Sequence, residues 1–205
     1  MKRIFSLIFI GVLSVVLITG CTNNDNVEID KSKTVNEEEK NIEKSVEINE
    51  GEEVEAEEIK EGVFTGNKAY DFALLDREGN EISLSSLQGK VVFLNFWASW
   101  CGPCKVEMPH MQKVYEEYKD KDVVILAVNI TASEKDGIKG VTSFLDENKY
   151  TFPVVFDMDG SVSTKFRVSG IPTTYIIDKD GIIVNRVTGA LSEDSIKEQI
   201  EAGMK

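Results

Sequence analysis

The stretch Val91-Val92-Phe93-Leu94-Asn95-Phe96-Trp97-Ala98-Ser99-Trp100-Cys101-Gly102-Pro103-Cys104-Lys105-Val106-Glu107-Met108-Pro109 decides the fold. Its first seven residues are nearly all apolar, a run that suits a strand buried on both faces. After Cys101 the pattern turns helical. Pro103 falls in the first turn, where its missing N–H costs nothing, and Val106, Met108, Met111, Val114, Tyr115 and Tyr118 supply apolar positions. Pro109 is expected to kink this helix. Two cysteines therefore sit where a buried strand ends and a helix begins.

Working outward, residues 71–75, the turn-like Arg77-Glu78-Gly79-Asn80 and residues 81–84 read as an N-terminal hairpin. Downstream, residues 123–130 form a second buried strand, 138–148 a helix, 153–156 a short strand and 162–167 another helix. Residues 173–188 read as a hairpin turning at Asp180-Gly181, and a final helix starts at Ser192. Alternating strands and helices with a closing hairpin predict an α/β fold, a mixed central sheet flanked by helices.

The first 21 residues belong to another physical class. Lys2 and Arg3 precede a nearly continuous apolar stretch over 4–18, followed by Thr19-Gly20-Cys21. That order reads as a bacterial secretion signal. The stretch is short for a membrane span, which takes about 20 apolar residues as a helix. Ile18-Thr19-Gly20-Cys21 resembles the bacterial lipoprotein signal, which would make Cys21 the mature N-terminus and its sulfur the site of lipid attachment. The alternative is an uncleaved anchor with an incidental cysteine. Both readings put the remainder on the extracytoplasmic face of the cell membrane.

Residues 22–62 carry 15 acidic and five basic side chains, with no aromatic residue and no proline. Such a segment cannot build a packed core and reads as a disordered acidic tether. Most of the net charge of −13 lies there, whereas the domain at 63–205 carries 16 basic and 21 acidic residues. That balance gives no electrostatic case for nucleic-acid binding.

With Cys21 assigned to lipid, Cys101 and Cys104 must be explained together. A zinc site would need two further Cys or His ligands, and His110 is the sole histidine, so no metal is expected. The same scarcity of soft ligands argues against a copper carrier. As a redox pair the arrangement makes physical sense, because a helix N-terminus favours thiolate, the attacking species. Cys101, ahead of the helix, is expected to be exposed and to attack a substrate disulfide. Cys104, one turn in, is expected to be buried and to resolve the mixed disulfide. An inert structural disulfide is the rival, but two intervening residues constrain little chain entropy.

The segment from Asn95 to Pro109 resembles the active-site segment of the thioredoxin superfamily, and more closely its TlpA/ResA-like extracytoplasmic branch, related to the AhpC/TSA redoxins. The likeness extends through Val128-Asn129, Phe152-Pro153-Val154-Val155, Gly170-Ile171-Pro172-Thr173-Thr174-Tyr175 and Gly189, covering residues 70–200. It implies a thioredoxin-like fold with a helix-strand insertion over about 131–153. It also implies that Ile171-Pro172 is a cis-proline loop facing the dithiol, so that Trp100, Gly102, Pro103, Ile171 and Pro172 meet the substrate chain. Plain thioredoxins carry a buried Asp where this chain has Asn95, which cannot exchange a proton at ordinary pH. Glu107 shares a helix face with Cys104, and the branch carries a functional Glu at the matching position, so Glu107 is the expected proton partner.

The implied activity is protein-disulfide reduction without a cofactor other than the Cys101–Cys104 disulfide. The expected partners are disulfide-containing exported proteins such as apocytochrome c and a membrane dithiol that donates electrons. Net oxidase or isomerase activity is a rival, since direction follows potential. Peroxide reduction is another, although Ala98-Ser99-Trp100 does not match the Pro/Thr-containing loop of peroxiredoxins.

Overall fold

The computed structural model describes residues 59–205. The secretion signal, Cys21 and nearly all of the acidic segment lie outside these residues. The order of elements is β1 (Glu61–Gly62), β2 (Lys68–Ala69), β3 (Ala73–Asp76), β4 (Glu81–Ser83), β5 (Val91–Trp97), α1 (Gly102–Tyr118), β6 (Val123–Asn129), α2 (Gly137–Glu147), β7 (Val154–Phe156), α3 (Ser161–Lys165), β8 (Thr173–Ile177), β9 (Ile183–Thr188) and α4 (Glu193–Gly203). Seven strands make one mixed sheet in the order β4-β3-β7-β6-β5-β8-β9.

The run over 91–97, apolar but for Asn95, is the centre of that sheet. β5 pairs parallel with β6 and antiparallel with β8, so neither its edges nor its faces meet water. Its side chains alternate between two apolar clusters, as the period of two requires. Val91, Phe93 and Trp97 pack with α1, α2 and α4, while Val92, Leu94 and Phe96 pack with α3 and the residues around the N-terminal hairpin. Phe166 knits the second cluster, with its ring 5.3 Å from Tyr175, 5.4 Å from Phe96 and 5.9 Å from Phe72. The Tyr175 hydroxyl donates to the Phe166 carbonyl.

The hairpin expected at the N-terminus is β3 and β4, turned by the Asp76 carboxylate, which accepts from the N–H groups of Glu78 and Asn80. β3 joins the main sheet by pairing antiparallel with β7. The insertion supplies a short 3-10 turn at Thr131–Ser133 and then α2, with β7 beginning just after it. One element was not foreseen: β1 and β2 form a separate two-residue parallel pair, too short to show any periodicity. β1 takes in Glu61 and Gly62, the last residues of the stretch read as tether.

α1 runs unbroken through Pro109 to Tyr118. It buries Cys104, Glu107, Met108, Met111, Val114 and Tyr118, a stripe at helical spacing. Val106 was grouped with that apolar face but is 65% exposed, because it stands out of phase with the stripe. The helix start, the C-terminal ends of β5 and β6, and the loop before β8 thus meet at one end of the sheet.

Candidate active site

The three residues Ala98-Ser99-Trp100 carry the chain from β5 into α1, and Cys101 is the helix N-cap. Its backbone is extended, at φ −77° and ψ 113°, and its sulfur accepts the N–H of Cys104 at 3.2 Å. A cysteine thus does what Ser or Asp usually does at this position, satisfying one of the orphan donors of the first turn. In the reduced protein that N–H and the positive end of a 17-residue helix both favour a thiolate at Cys101. Cys101 and Cys104 are joined as a disulfide, their Cα atoms 5.3 Å apart.

The exposure expected for Cys101 is corrected by the structure. Cys101 is 4% exposed and Cys104 1%. The reason is the loop before β8: the Ile171 carbonyl oxygen lies 3.6 Å from the Cys101 sulfur, and Ile171 packs against the apolar cluster that contains both cysteines. The Ile171–Pro172 peptide bond is cis. Pro172 is buried and its carbonyl accepts the N–H of Gly189, while the Thr173 hydroxyl donates to the Gly170 carbonyl. Gly102 and Pro103 are exposed, and Trp100 is 57% exposed, so the solvent-facing surface next to the disulfide is the helix start.

Glu107 stands one turn beyond Cys104 on the same buried stripe and is fully buried. Its Oε2 accepts from Asn95 Nδ2 at 3.0 Å, and its Oε1 accepts from the Leu191 N–H at 3.0 Å. Asn95 Nδ2 also donates to the Thr174 hydroxyl at 2.9 Å. β5, α1, β8 and the loop before α4 therefore share one polar chain inside an otherwise apolar layer. Burial pushes the Glu107 carboxyl up to about 7, against the opposing pull of the Leu191 and Asn95 donors. A group that titrates there is able both to take a proton and to return one near neutral pH.

A second carboxylate was missed by sequence reading. Glu134, which follows the 3-10 turn of the insertion, accepts from the N–H of Ser99 at 2.6 Å and from its hydroxyl. Asn129 Nδ2 donates to the same carboxylate at 2.8 Å. The Trp100 indole N–H donates to the Ser133 carbonyl at 3.1 Å, and Trp97 is wholly buried in the core. Thirty-five residues separate Ser99 from Glu134, and no local pattern announces the pairing.

With this geometry in place, comparison with known proteins gives a consistent answer. Residues 65–186 match the AhpC/TSA family. The chain belongs to that family. It is 40% identical over 143 residues to the thiol-disulfide oxidoreductase ResA of Geobacillus thermodenitrificans, covering 70% of this chain and 80% of that one. The crystal structure of StoA from Bacillus subtilis superposes with a TM-score of 0.58 at 32% identity, covering 63% of this chain and 96% of StoA. The pneumococcal exposed lipoprotein thioredoxin Etrx1 from Streptococcus pneumoniae does so with a TM-score of 0.58 at 28% identity, covering 64% and 98%. The fold is thioredoxin-like, as the motif resemblance implied.

The Glu107 environment has a consequence for stability in the oxidised protein, where the cysteines do not titrate. Between the ordinary carboxylate value of 4.5 and about 7 the folded protein keeps a proton that the unfolded chain has released. That contribution is therefore full below pH 4.5 and is lost as pH rises through 7. Urea unfolding across this range should show wild type losing on the order of 3 kcal/mol relative to Glu107→Gln, whose amide stays neutral throughout. Parallel pH profiles for the two proteins would show that burial does not perturb this carboxyl.

Proposed function

We propose that this chain, a thiol-disulfide oxidoreductase of the thioredoxin-like kind, reduces disulfides in exported proteins from the extracytoplasmic face of the bacterial cell membrane. The observation that carries the redox reading is the bonded pair at the helix start: Cys101 as N-cap, Cys104 behind it, and a buried carboxyl on the same helix face. Two-electron exchange follows from it. The Cys101 thiolate attacks one sulfur of the client disulfide, and the first client sulfur leaves as a thiolate that takes up a proton. The Cys104 thiol then gives its proton to the Glu107 carboxylate and attacks the Cys101 sulfur, expelling the second client sulfur as a thiolate that takes a proton from solvent and leaving the Cys101–Cys104 disulfide. When a donor dithiol reduces the pair again, the proton returns from Glu107 to Cys104. Trp100, Gly102 and Pro103 at the helix start and the partly exposed Ile171 are the surfaces a client chain meets, with the buried cis Pro172 shaping the loop that carries Ile171.

The favoured client is an apocytochrome c whose Cys-x-x-Cys-His cysteines must be reduced before haem attachment. This rests on the TlpA/ResA-like motif, and relatives that are 40% identical are named ResA. The electron donor is a membrane dithiol protein. Gly102-Pro103, the thioredoxin dipeptide, favours the reducing direction over net oxidation. Lipid on Cys21 tethers the domain, with the acidic segment at 22–62 as spacer; a similar solved structure is itself described as an exposed lipoprotein.

Expressed in cells, the Cys104→Ser protein should accumulate mixed disulfides with clients through Cys101, separable by diagonal electrophoresis, and apocytochromes c should be among them. Capture that persists without Cys101 and requires Cys104 would reverse the roles. For the tether, Cys21→Ser should move the protein from the membrane fraction to the soluble one. Retention of that variant on the membrane would point to an uncleaved anchor instead.

A further inference from the structure

The loop that presents the cysteines is held by a side chain from the insertion rather than by its own neighbours. Both carboxylate oxygens of Glu134 are used: Oε1 accepts from the Ser99 N–H at 2.6 Å and from Asn129 Nδ2 at 2.8 Å, and Oε2 accepts from the Ser99 hydroxyl. Asn129 is fully buried, and its Oδ1 accepts from the Thr131 hydroxyl at 2.9 Å. On either side of this bracket, Ile130 N–H donates to the Trp97 carbonyl at 2.9 Å and the Trp100 indole donates to the Ser133 carbonyl. Trp97, Ser99 and Trp100 are thus each tied to 129–134. Among the described residues no lysine or arginine pairs with Glu134, so its charge is met by these polar donors. Hydrogen bonds to an ionised acceptor are the strong ones, about twice a neutral pair.

We propose that Glu134 is a positioning residue for polypeptide clients: through Ser99 it fixes the loop at 98–100 so that the exposed Trp100 indole stands beside the disulfide as a docking platform. Two features separate this from general bracing of the fold. The bonds end on the residue next to Trp100, and the indole they support is one of the few large apolar side chains left open to solvent. An aromatic face of this kind gains contact area at low entropic cost when a chain lies across it. Cys101 keeps its own anchors, the Cys104 N–H and the Ile171 carbonyl contact, which do not pass through Glu134. Glu134 therefore governs capture of an extended client and leaves sulfur chemistry with a small disulfide alone.

The inference rests on the client reading given above, and the test separates the two. Reduced full-length protein is mixed with an oxidised Cys-x-x-Cys-His peptide or with hydroxyethyl disulfide, and second-order rates are measured. E134A should slow the peptide reaction about tenfold, the loss of a charge-assisted hydrogen bond. The hydroxyethyl disulfide rate should stay within about twofold of wild type. E134Q, which keeps an acceptor for the Ser99 N–H, should regain a peptide rate within about threefold of wild type. Equal slowing with both substrates, no slowing with either, or a Gln variant as slow as Ala would overturn the proposal. If E134A does not fold, Ser99→Ala removes the hydroxyl bond alone and should slow only the peptide, about threefold; an unchanged peptide rate overturns the proposal. Wild-type protein that reduces hydroxyethyl disulfide but not the peptide contradicts the client reading, and with it this inference.

Discussion

A carboxyl group placed in an apolar layer one helical turn behind a cysteine is the constraint around which the site is arranged. Glu107 is wholly shielded from bulk solvent, and its two oxygens lean on Asn95 and on the Leu191 backbone. Satisfying those oxygens requires β5, α1 and the loop before α4 to hold fixed positions, and Asn95 extends the same chain to Thr174 in β8. The cis Ile171–Pro172 loop that covers Cys101 leads directly into β8, so the buried carboxyl and the sulfur cover share one scaffold. Desolvation raises the carboxyl while two donors pull it back, and the balance leaves it near neutrality.

The cysteine pair and the buried carboxyl occupy neighbouring features of α1. The helix start stabilises sulfur as thiolate through an N-cap bond and the helix dipole, both of which act on Cys101. Cys104 lies deeper and is nearly inaccessible, where a thiolate is costly to form without an acceptor for its proton. The burial that makes Cys104 inert to solvent also raises Glu107 into the range where it is able to serve as that acceptor.

Much of this was legible in the residues. A seven-residue run that is apolar but for Asn95 suits a strand buried on both faces, and Pro103 in the first turn suits a helix start, so β5, α1 and the cysteine pair follow from local pattern. Glu107 was reachable by counting three residues from Cys104. What escaped depended on distance in the chain. The burial of Cys101 comes from Ile171, 70 residues away, and the bracket on Ser99 from Glu134, 35 residues away. The exposure of Val106 shows the complementary limit: hydrophobicity named it as core, and the phase set by Cys104, Glu107, Met108 and Met111 turned it outward. The β1–β2 pair was too short to leave a periodic trace.

Most directly at stake is whether the buried carboxyl and the cysteine pair titrate as one coupled system. Labelling the cysteine β-carbons and following their chemical shifts with pH in the reduced protein reads both thiols in place. Wild type should show, at Cys104, an inflection near 7 that belongs to Glu107. In Glu107→Gln that inflection should vanish. Superimposable curves for the two proteins would contradict a proton-transfer role for Glu107.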